Sequence, residues 1–349
     1  MDKKIAVLAT GTNGSVISAD LIRAGLDVTM IDMWGAHIEA MRANGLTITT
    51  DGDEVNVAVK AYHLSDVCTL QEKFDIVLLT SKAYDSRWLT EFIKPYLADD
   101  GLIVAVQNCM TAEMIAEIVG VERTVGCVIE LATQMFDPGQ VLRTTPKERT
   151  WFGIGAFDPA HGDRLEEVAE ILRNAGEVEI IDDILSAKWM KLISNAMIMG
   201  TMAILGGTPE QVFKQNGKEY AQRAREWFLQ AGEEALAVGQ SLDYKAVPIF
   251  GLKPEDVTNT NNLLETLLDK LVDDIGPKPI NTTLQDFMKG RYSETDMING
   301  LVADELKQNG RPSPVNDVTV ELTRQIHAGE LKPDLSNLDL VRQMLANGG

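Results

Sequence analysis

Ile5-Ala6-Val7-Leu8-Ala9-Thr10-Gly11-Thr12-Asn13-Gly14 is the stretch on which the fold turns. Its apolar run reads as a buried strand, and Gly14 to Ala24 carries helical periodicity closed by Gly25. Between them lies a glycine-containing turn in strand–turn–helix context, the setting that gives a dinucleotide-binding fingerprint its meaning. Gly11 would let the backbone approach a pyrophosphate, and Gly14 would let the helix pack closely on the strand. The helix start adds unpaired N–H groups and the positive end of a dipole. Gly11, Thr12, Asn13 and Gly14 are therefore the first candidate cofactor residues. Ala9 stands where the first glycine of the fingerprint normally does. A plain strand-to-helix turn without a ligand is the other reading.

Outward from this point, short apolar strands alternate with amphipathic helices. Strands are expected at Val28–Asp32, Asp75–Thr80, Leu102–Val106, Thr124–Glu130, Thr150–Ile154 and Val178–Ile181, with helices at Ala36–Ala43 and Arg164–Asn174. The near-continuous apolar runs are those of strands covered on both faces, which predicts a Rossmann-type, doubly wound parallel sheet. Past about Asp183 the strand signals stop. Helical patterns follow over Ser186–Leu205, Gly217–Val238, Asn261–Val272, Asp296–Gln308, Val315–His327 and Leu338–Leu345. The expected organisation is thus α/β, with a dinucleotide-binding domain over 1–182 and an all-helical substrate-binding domain over 183–349.

The chain has 349 residues, with 52 Asp and Glu against 32 Lys and Arg and a net charge of -20. That balance argues against a nucleic-acid partner, which needs clustered basic residues. Cys68, Cys109 and Cys127 have no metal-ligand spacing and suit a reducing cytosol, so neither a metal nor a disulfide is expected. The first apolar run is too short for a signal peptide, and Leu192–Gly207 is broken by Ser194, Asn195 and Thr201, which predicts a buried helix and no membrane span. The expectation is a cytoplasmic protein, with a homodimer through an apolar helix face as one arrangement.

Asp32 ends the second strand, where an acidic side chain accepts hydrogen bonds from the adenosine ribose hydroxyls and repels a 2′-phosphate. The following Met33-Trp34-Gly35-Ala36-His37 offers no Lys or Arg to attract one, so NAD(H) is favoured over NADP(H). A helix N-cap role for Asp32 or its neighbours is the alternative. Thr80-Ser81-Lys82-Ala83 and Gln107-Asn108 lie at further strand ends, which makes Lys82 and Asn108 cofactor candidates. Lys191 and Asn195 stand one turn apart on the most apolar helix. A lysine there needs a partner or a task, such as giving a proton to a developing alkoxide, unless it and Lys188 snorkel to the surface.

Together these marks resemble the ketopantoate reductase family (2-dehydropantoate 2-reductases), along essentially the whole chain. Besides the fingerprint they include Lys188-Trp189-Met190-Lys191-Leu192-Ile193-Ser194-Asn195, Leu284-Gln285-Asp286 and Glu294-Thr295-Asp296-Met297-Ile298-Asn299-Gly300. The resemblance implies that Lys191 is the general acid and Glu294 its acidic partner on the substrate hydroxyl. It makes Asn108 and Asn195 orienting amides, and Thr282, with Asn281 beside it, contacts for the substrate carboxylate. Glu294 also reads as a first-turn residue of a capping box, Ser293-x-x-Asp296. Met199 stands where the family usually has a second asparagine contacting ketopantoate. Its apolar side chain points to a bulkier 2-oxo acid, of mandelate or branched-chain type. The leading expectation is hydride transfer between NAD(H) and a 2-oxo acid/2-hydroxy acid pair. Authentic NADPH-dependent 2-dehydropantoate reduction comes next, then an opine or β-hydroxyacid dehydrogenase, and a catalytically silent nicotinamide sensor is the non-enzymatic alternative.

Overall fold

The computed structural model describes residues 3–258 and 262–347, so Asn261, the expected start of one helix, lies outside the described residues. The chain divides into two compact units, Met1–Lys188 and Trp189–Gly349.

In the first unit β1 (Lys4–Leu8), α1 (Thr12–Arg23), β2 (Asp27–Asp32) and α2 (Gly35–Asn44) follow one another as expected. Next come β3 (Leu46–Thr50), β4 (Asp53–Val57), β5 (Lys60–His63), β6 (Phe74–Leu79), α3 (Ser86–Ile93), β7 (Leu97–Val106), α4 (Ala112–Val119) and β8 (Thr124–Glu130). The unit ends with β9 (Thr133–Gln134), β10 (Gln140–Arg143), β11 (Trp151–Ala156), α5 (Leu165–Leu172) and β12 (Glu177–Ile180). The main sheet has the order β12-β11-β8-β7-β6-β1-β2-β5. Strand order reverses between β1 and β6, so the crevice where α/β sheets take their ligands opens at the carboxyl ends of these two strands. Alternate residues of each central strand feed opposite faces. Ile5, Val7, Ile76 and Leu78 pack with Val16, Ile17 and Leu21 of α1, while Ala6, Leu8, Val77 and Leu79 pack with Leu89 of α3 and Ile115 of α4.

Two features depart from the expectation. First, β11 runs antiparallel to β8, although β12 is again parallel to β11. No helix crosses over between β8 and β11; the chain makes an excursion through β9 and β10 and re-enters from the other end. Second, β3, β4, β9 and β10 form a separate four-stranded sheet. Its β3–β4 hairpin closes on Asp51-Gly52, both at positive φ (51° and 92°), in the two-residue turn that Asp-Gly favours.

The second unit contains the rest of α6 (Ile184–Leu205), then α7 (Lys218–Ser241), α8 (Pro254–Thr258), α9 (Leu263–Ile275), α10 (Thr282–Met288), α11 (Leu301–Gln308), α12 (Pro314–His327) and α13 (Asn337–Asn347). Every regular element described here is helical. A π-helical turn, Asp296–Gly300, leads into α11, so the expected helix over 296–308 forms in two parts. Apolar packing is supplemented by a buried polar relay. Asn299 donates to the Ala196 carbonyl of α6 (3.0 Å) and to Asn316 Oδ1 (2.8 Å), and Asn316 donates on to Glu234 (2.6 Å). Glu234 of α7 also accepts the backbone N–H groups of Val315 (3.0 Å) and Asn316 (2.9 Å), so it caps α12 from another helix. Among the described residues no helix is long and apolar enough to cross a membrane.

Candidate functional site

In the first unit the fingerprint turn is built under backbone strain. Ala9 sits at φ 63°, the left-handed conformation that the missing glycine would take without steric cost. Thr80, following β6, holds it there: the Thr80 hydroxyl donates to Ala9 O (2.8 Å) and Leu8 O (3.2 Å), and its N–H donates to Leu8 O (3.0 Å). Gly11 is the N-cap of α1 and supplies no side-chain cap to the first N–H groups of that helix, leaving them for an anion. A Cβ at Gly11 would meet nothing within 4 Å, whereas one at Gly14 would strike the Thr80 hydroxyl. The two glycines therefore answer different demands. Gly14 is required by the protein's own packing against Thr80, whereas the space at Gly11 is open.

This separates two expected results. Gly14→Ala should destabilise the fold by about 1–3 kcal/mol through overpacking. Gly11→Ala should leave thermal unfolding unchanged and weaken nucleotide binding, read by titration calorimetry. Equal loss of stability in both variants would overturn the assignment.

The loop has support that sequence reading misses. His37, fully buried on α2, accepts the Gly139 N–H at Nδ1 (2.9 Å), so its proton is on Nε2, which lies 3.1 Å from Thr10 O and 3.2 Å from Ser15 Oγ. The Ser15 hydroxyl donates to the same Thr10 carbonyl (2.9 Å), and Asn13 Oδ1 accepts the Thr133 hydroxyl (2.6 Å). Residues far apart in sequence thus fix Thr10 and Asn13; a lone histidine on a helix carries no signal of such partners.

Asp32 is 6% exposed at the end of β2, and its Oδ1 accepts the Trp34 N–H (2.6 Å). One carboxylate oxygen therefore shapes the turn into α2, where Trp34, not Asp32, is the N-cap. Lys82 and Asn108 are half-buried at the ends of β6 and β7. Asn108 is followed by Cys109 at φ 65°, a second strained residue at a strand's carboxyl end. Gln107 donates to Ser81 O (2.9 Å) and approaches the hydroxyls of Ser81 (2.8 Å) and Ser86 (2.7 Å), which ties the two strand-end loops together. Lys188 does not snorkel. It is 2% exposed, and its ammonium donates to the carbonyls of Gln107 (3.0 Å) and Cys127 (3.3 Å). Burial pushes the Cys127 thiol up to about 12, with Lys188 opposing, so this cysteine is inert.

In the second unit Lys191, Asn195 and Met199 lie at successive turns along one face of α6. Lys191 is half-buried, while Asn195 and Met199 are 3% and 8% exposed. The Lys191 ammonium stands 4.5 Å from the centre of the Phe250 ring. Asn281 caps α10 by accepting the Leu284 N–H (2.9 Å), and its amide N–H groups go to the carbonyls of Ile198 (3.0 Å) and Met199 (2.9 Å). Its geometry is that of a clamp between α10 and α6, with both amide hydrogens engaged. Thr282 is brought beside Met199, its hydroxyl 4.0 Å from the sulfur. Glu294 is 5% exposed just before the π-helical turn, and its neighbour Thr295 approaches α6 at Gly200, where an added Cβ would lie 3.3 Å from Thr295 Cγ2 and 2.8 Å from Thr319 Cγ2. Gly200 thus permits the close packing that brings this segment to α6.

The turn carrying Glu294 rests on His327 at the end of α12. Its Nε2 accepts the Ser293 N–H (3.3 Å) and lies 3.2 Å from the Ser293 hydroxyl, with Phe287 and Tyr292 against its ring. Burial lowers the His327 pKa from its ordinary 6.5, with Asp296 opposing. Because the folded pKa lies below the unfolded one, the contribution to stability is complete above pH 6.5 and is lost as pH falls through the folded value. Urea unfolding from pH 8 to 5 should show this loss, and His327→Gln should flatten it. An unchanged slope in the variant would remove His327 from the account.

The chain matches the family model described as Ketopantoate reductase PanE/ApbA over residues 5–156 and its C-terminal counterpart over 183–327. It is 26% identical to a 2-dehydropantoate 2-reductase of Mesorhizobium japonicum, over 93% of this chain and 97% of that one. Among solved structures, a PanE/ApbA family ketopantoate reductase from Ralstonia eutropha matches at 26% identity with a TM-score of 0.75, over 94% of this chain and 99% of the other. A D-mandelate dehydrogenase with NADH and anilino(oxo)acetate shares the fold at 20% identity, with a TM-score of 0.79 over 93% and 99% of the two chains.

Proposed function

This chain belongs to the ketopantoate reductase family, and from that premise we propose that it exchanges hydride between NAD(H) and an apolar 2-oxo acid/2-hydroxy acid pair, with Lys191 as general acid. The observation that carries the reading is the Lys191–Asn195–Met199 face of α6, because it combines a proton donor, an orienting amide and an apolar wall on one helix. In this reading Gly11, Thr12, Asn13 and Gly14 receive the pyrophosphate, Asp32 takes the adenosine ribose, and Lys82 and Asn108 orient the remainder of the dinucleotide. The nicotinamide, when bound, supplies the hydride. Lys191 then gives its proton to the carbonyl oxygen, Asn195 and Glu294 orient lysine and substrate, and Thr282 offers its hydroxyl to the carboxylate. Asn281 acts through its clamp on α6.

Asp32 supports NADH because a buried carboxylate is a poor neighbour for a 2′-phosphate, and residues 33–37 contain no compensating Lys or Arg. Met199 supports an aromatic or branched side chain on the substrate. The relatives' shared name favours a second reading, NADPH-dependent reduction of 2-dehydropantoate. Nucleotide oxidation with NADH and NADPH, against ketopantoate and a panel of aromatic and branched 2-oxo acids, separates them. We expect NADH with an apolar 2-oxo acid to give the highest kcat/KM; efficient NADPH-dependent ketopantoate reduction would establish the second reading instead.

A further inference from the structure

Phe250 lies in the loop between α7 and α8. Phe250 and Gly251 have φ of 58° and 70°, and the Leu252 N–H closes the turn on Ile249 O (3.0 Å). Two consecutive left-handed residues make a mirror-image turn that favours Gly, Asn or Asp. A bulky aromatic residue in its first central position is a backbone outlier. Strain of this kind persists only where the surrounding structure enforces it, and it recurs at sites where geometry serves function. Here the strained residue is 6% exposed, and the centre of its ring lies 4.5 Å from the Lys191 ammonium. That separation is within the range of a cation–π interaction, in which the negative face of the ring attracts the charge.

We propose that Phe250 is a positioning residue for proton transfer: the strained turn sets its ring against the Lys191 ammonium and holds that proton donor in its working orientation. This rests on Lys191 being the general acid. A long, flexible lysine side chain loses considerable rotamer freedom when its head group is fixed, and an aromatic face can fix it without competing for the protons it must deliver. A carboxylate in the same place would accept one of those protons as a hydrogen bond. The ring restrains the ammonium without itself accepting a hydrogen bond from it.

The test replaces Phe250 by mono-, di- and trifluorophenylalanine, which keep shape and burial while draining charge from the ring face. Together they should lower kcat stepwise by about tenfold, with KM for the 2-oxo acid, nucleotide Kd and Tm unchanged. Phe250→Leu should lose at least as much, and Phe250→Tyr should recover most of the loss. Full kcat across the fluorinated series, with Lys191→Ala inactive, would overturn the inference and leave the proposed function intact. An active Lys191→Ala enzyme would overturn both. Parallel losses of kcat and Tm in the fluorinated proteins would mark the ring as packing only and also overturn the inference.

Discussion

Lys191→Ala should reduce turnover by about 10²–10⁴-fold while the protein still binds NADH, because general acid catalysis contributes on that scale and the residues proposed for the nucleotide lie elsewhere in the sequence. Asn195 and Met199 share the helical face with Lys191, and truncation at alanine leaves α6 intact, since Ala is the best helix former. The loss should therefore fall on kcat more than on KM, as expected when a group acts chiefly in the transition state. Lys191→Arg should not restore it: a guanidinium stays protonated and does not give up its proton in the operating pH range. Primary amines added to the Lys191→Ala protein should restore part of the rate, in an order set by their size and basicity. Single-turnover measurement of bound NADH with saturating 2-oxo acid is the direct check. A Lys191→Ala enzyme with wild-type turnover would remove the proton donor from the proposal, whereas failure of the unaltered chain to oxidise NADH with any 2-oxo acid would favour the silent-sensor reading.

What the sequence discloses here follows physical lines. Strand β8 forms at its expected residues Thr124–Glu130, and β1, β2 and β6 fall within about two residues of expectation, because buried parallel strands advertise themselves as unbroken apolar runs. Helix α6 is equally legible from its apolar length. The small sheet is not. Strands β9 and β10 are short, and β10 finds its partner β3 nearly a hundred residues earlier, a pairing that local pattern cannot contain. The β3–β4 hairpin did carry a signal, Leu46-Thr47-Ile48 before Asp51-Gly52, which the reading passes over. The reversal of β11 was hidden for another reason: a strand's apolar pattern is the same in either direction.

The site divides in the same way. Residue types with chemistry of their own, such as Gly11, Asp32 and Lys191, were visible as candidates. Their supports were not. Thr80 holding Ala9, His37 holding Thr10 and His327 holding Ser293 are all contacts between residues distant in sequence, each made by an ordinary side chain. Asn281 illustrates the converse. Its position drew attention, yet its two amide hydrogens and its oxygen serve the joint between α6 and α10. Lys188 shows how burial can mislead, since the more deeply buried lysine of the pair donates to backbone carbonyls.

Breaking one such distant contact should have the largest effect on stability. Arg143 at the end of β10 is 5% exposed and donates to Asp20 of α1 (2.7 Å), Thr145 O (2.7 Å), Thr150 Oγ1 (2.8 Å) and Ala175 O (3.3 Å). It joins the small sheet, the helix behind the fingerprint turn and the start of β11. Asp20 is 8% exposed, and burial raises its pKa above the ordinary 3.8 even with Arg143 opposing. Arg143→Met therefore leaves a buried carboxylate without its cation, which should cost about 3–5 kcal/mol. For a unit of this size that corresponds to a fall in Tm of roughly 10 °C, measurable by calorimetry. The penalty belongs to the charge, so it should shrink as pH falls and the stranded Asp20 takes up a proton, the opposite pH trend from that set by His327. Pairing Arg143→Met with Asp20→Leu should recover much of the lost stability, because two apolar side chains strand no charge. A loss of less than about 1 kcal/mol in the single variant would show that water or a shifted cation reaches Asp20, and that the pin under α1 is weaker than its bonds suggest.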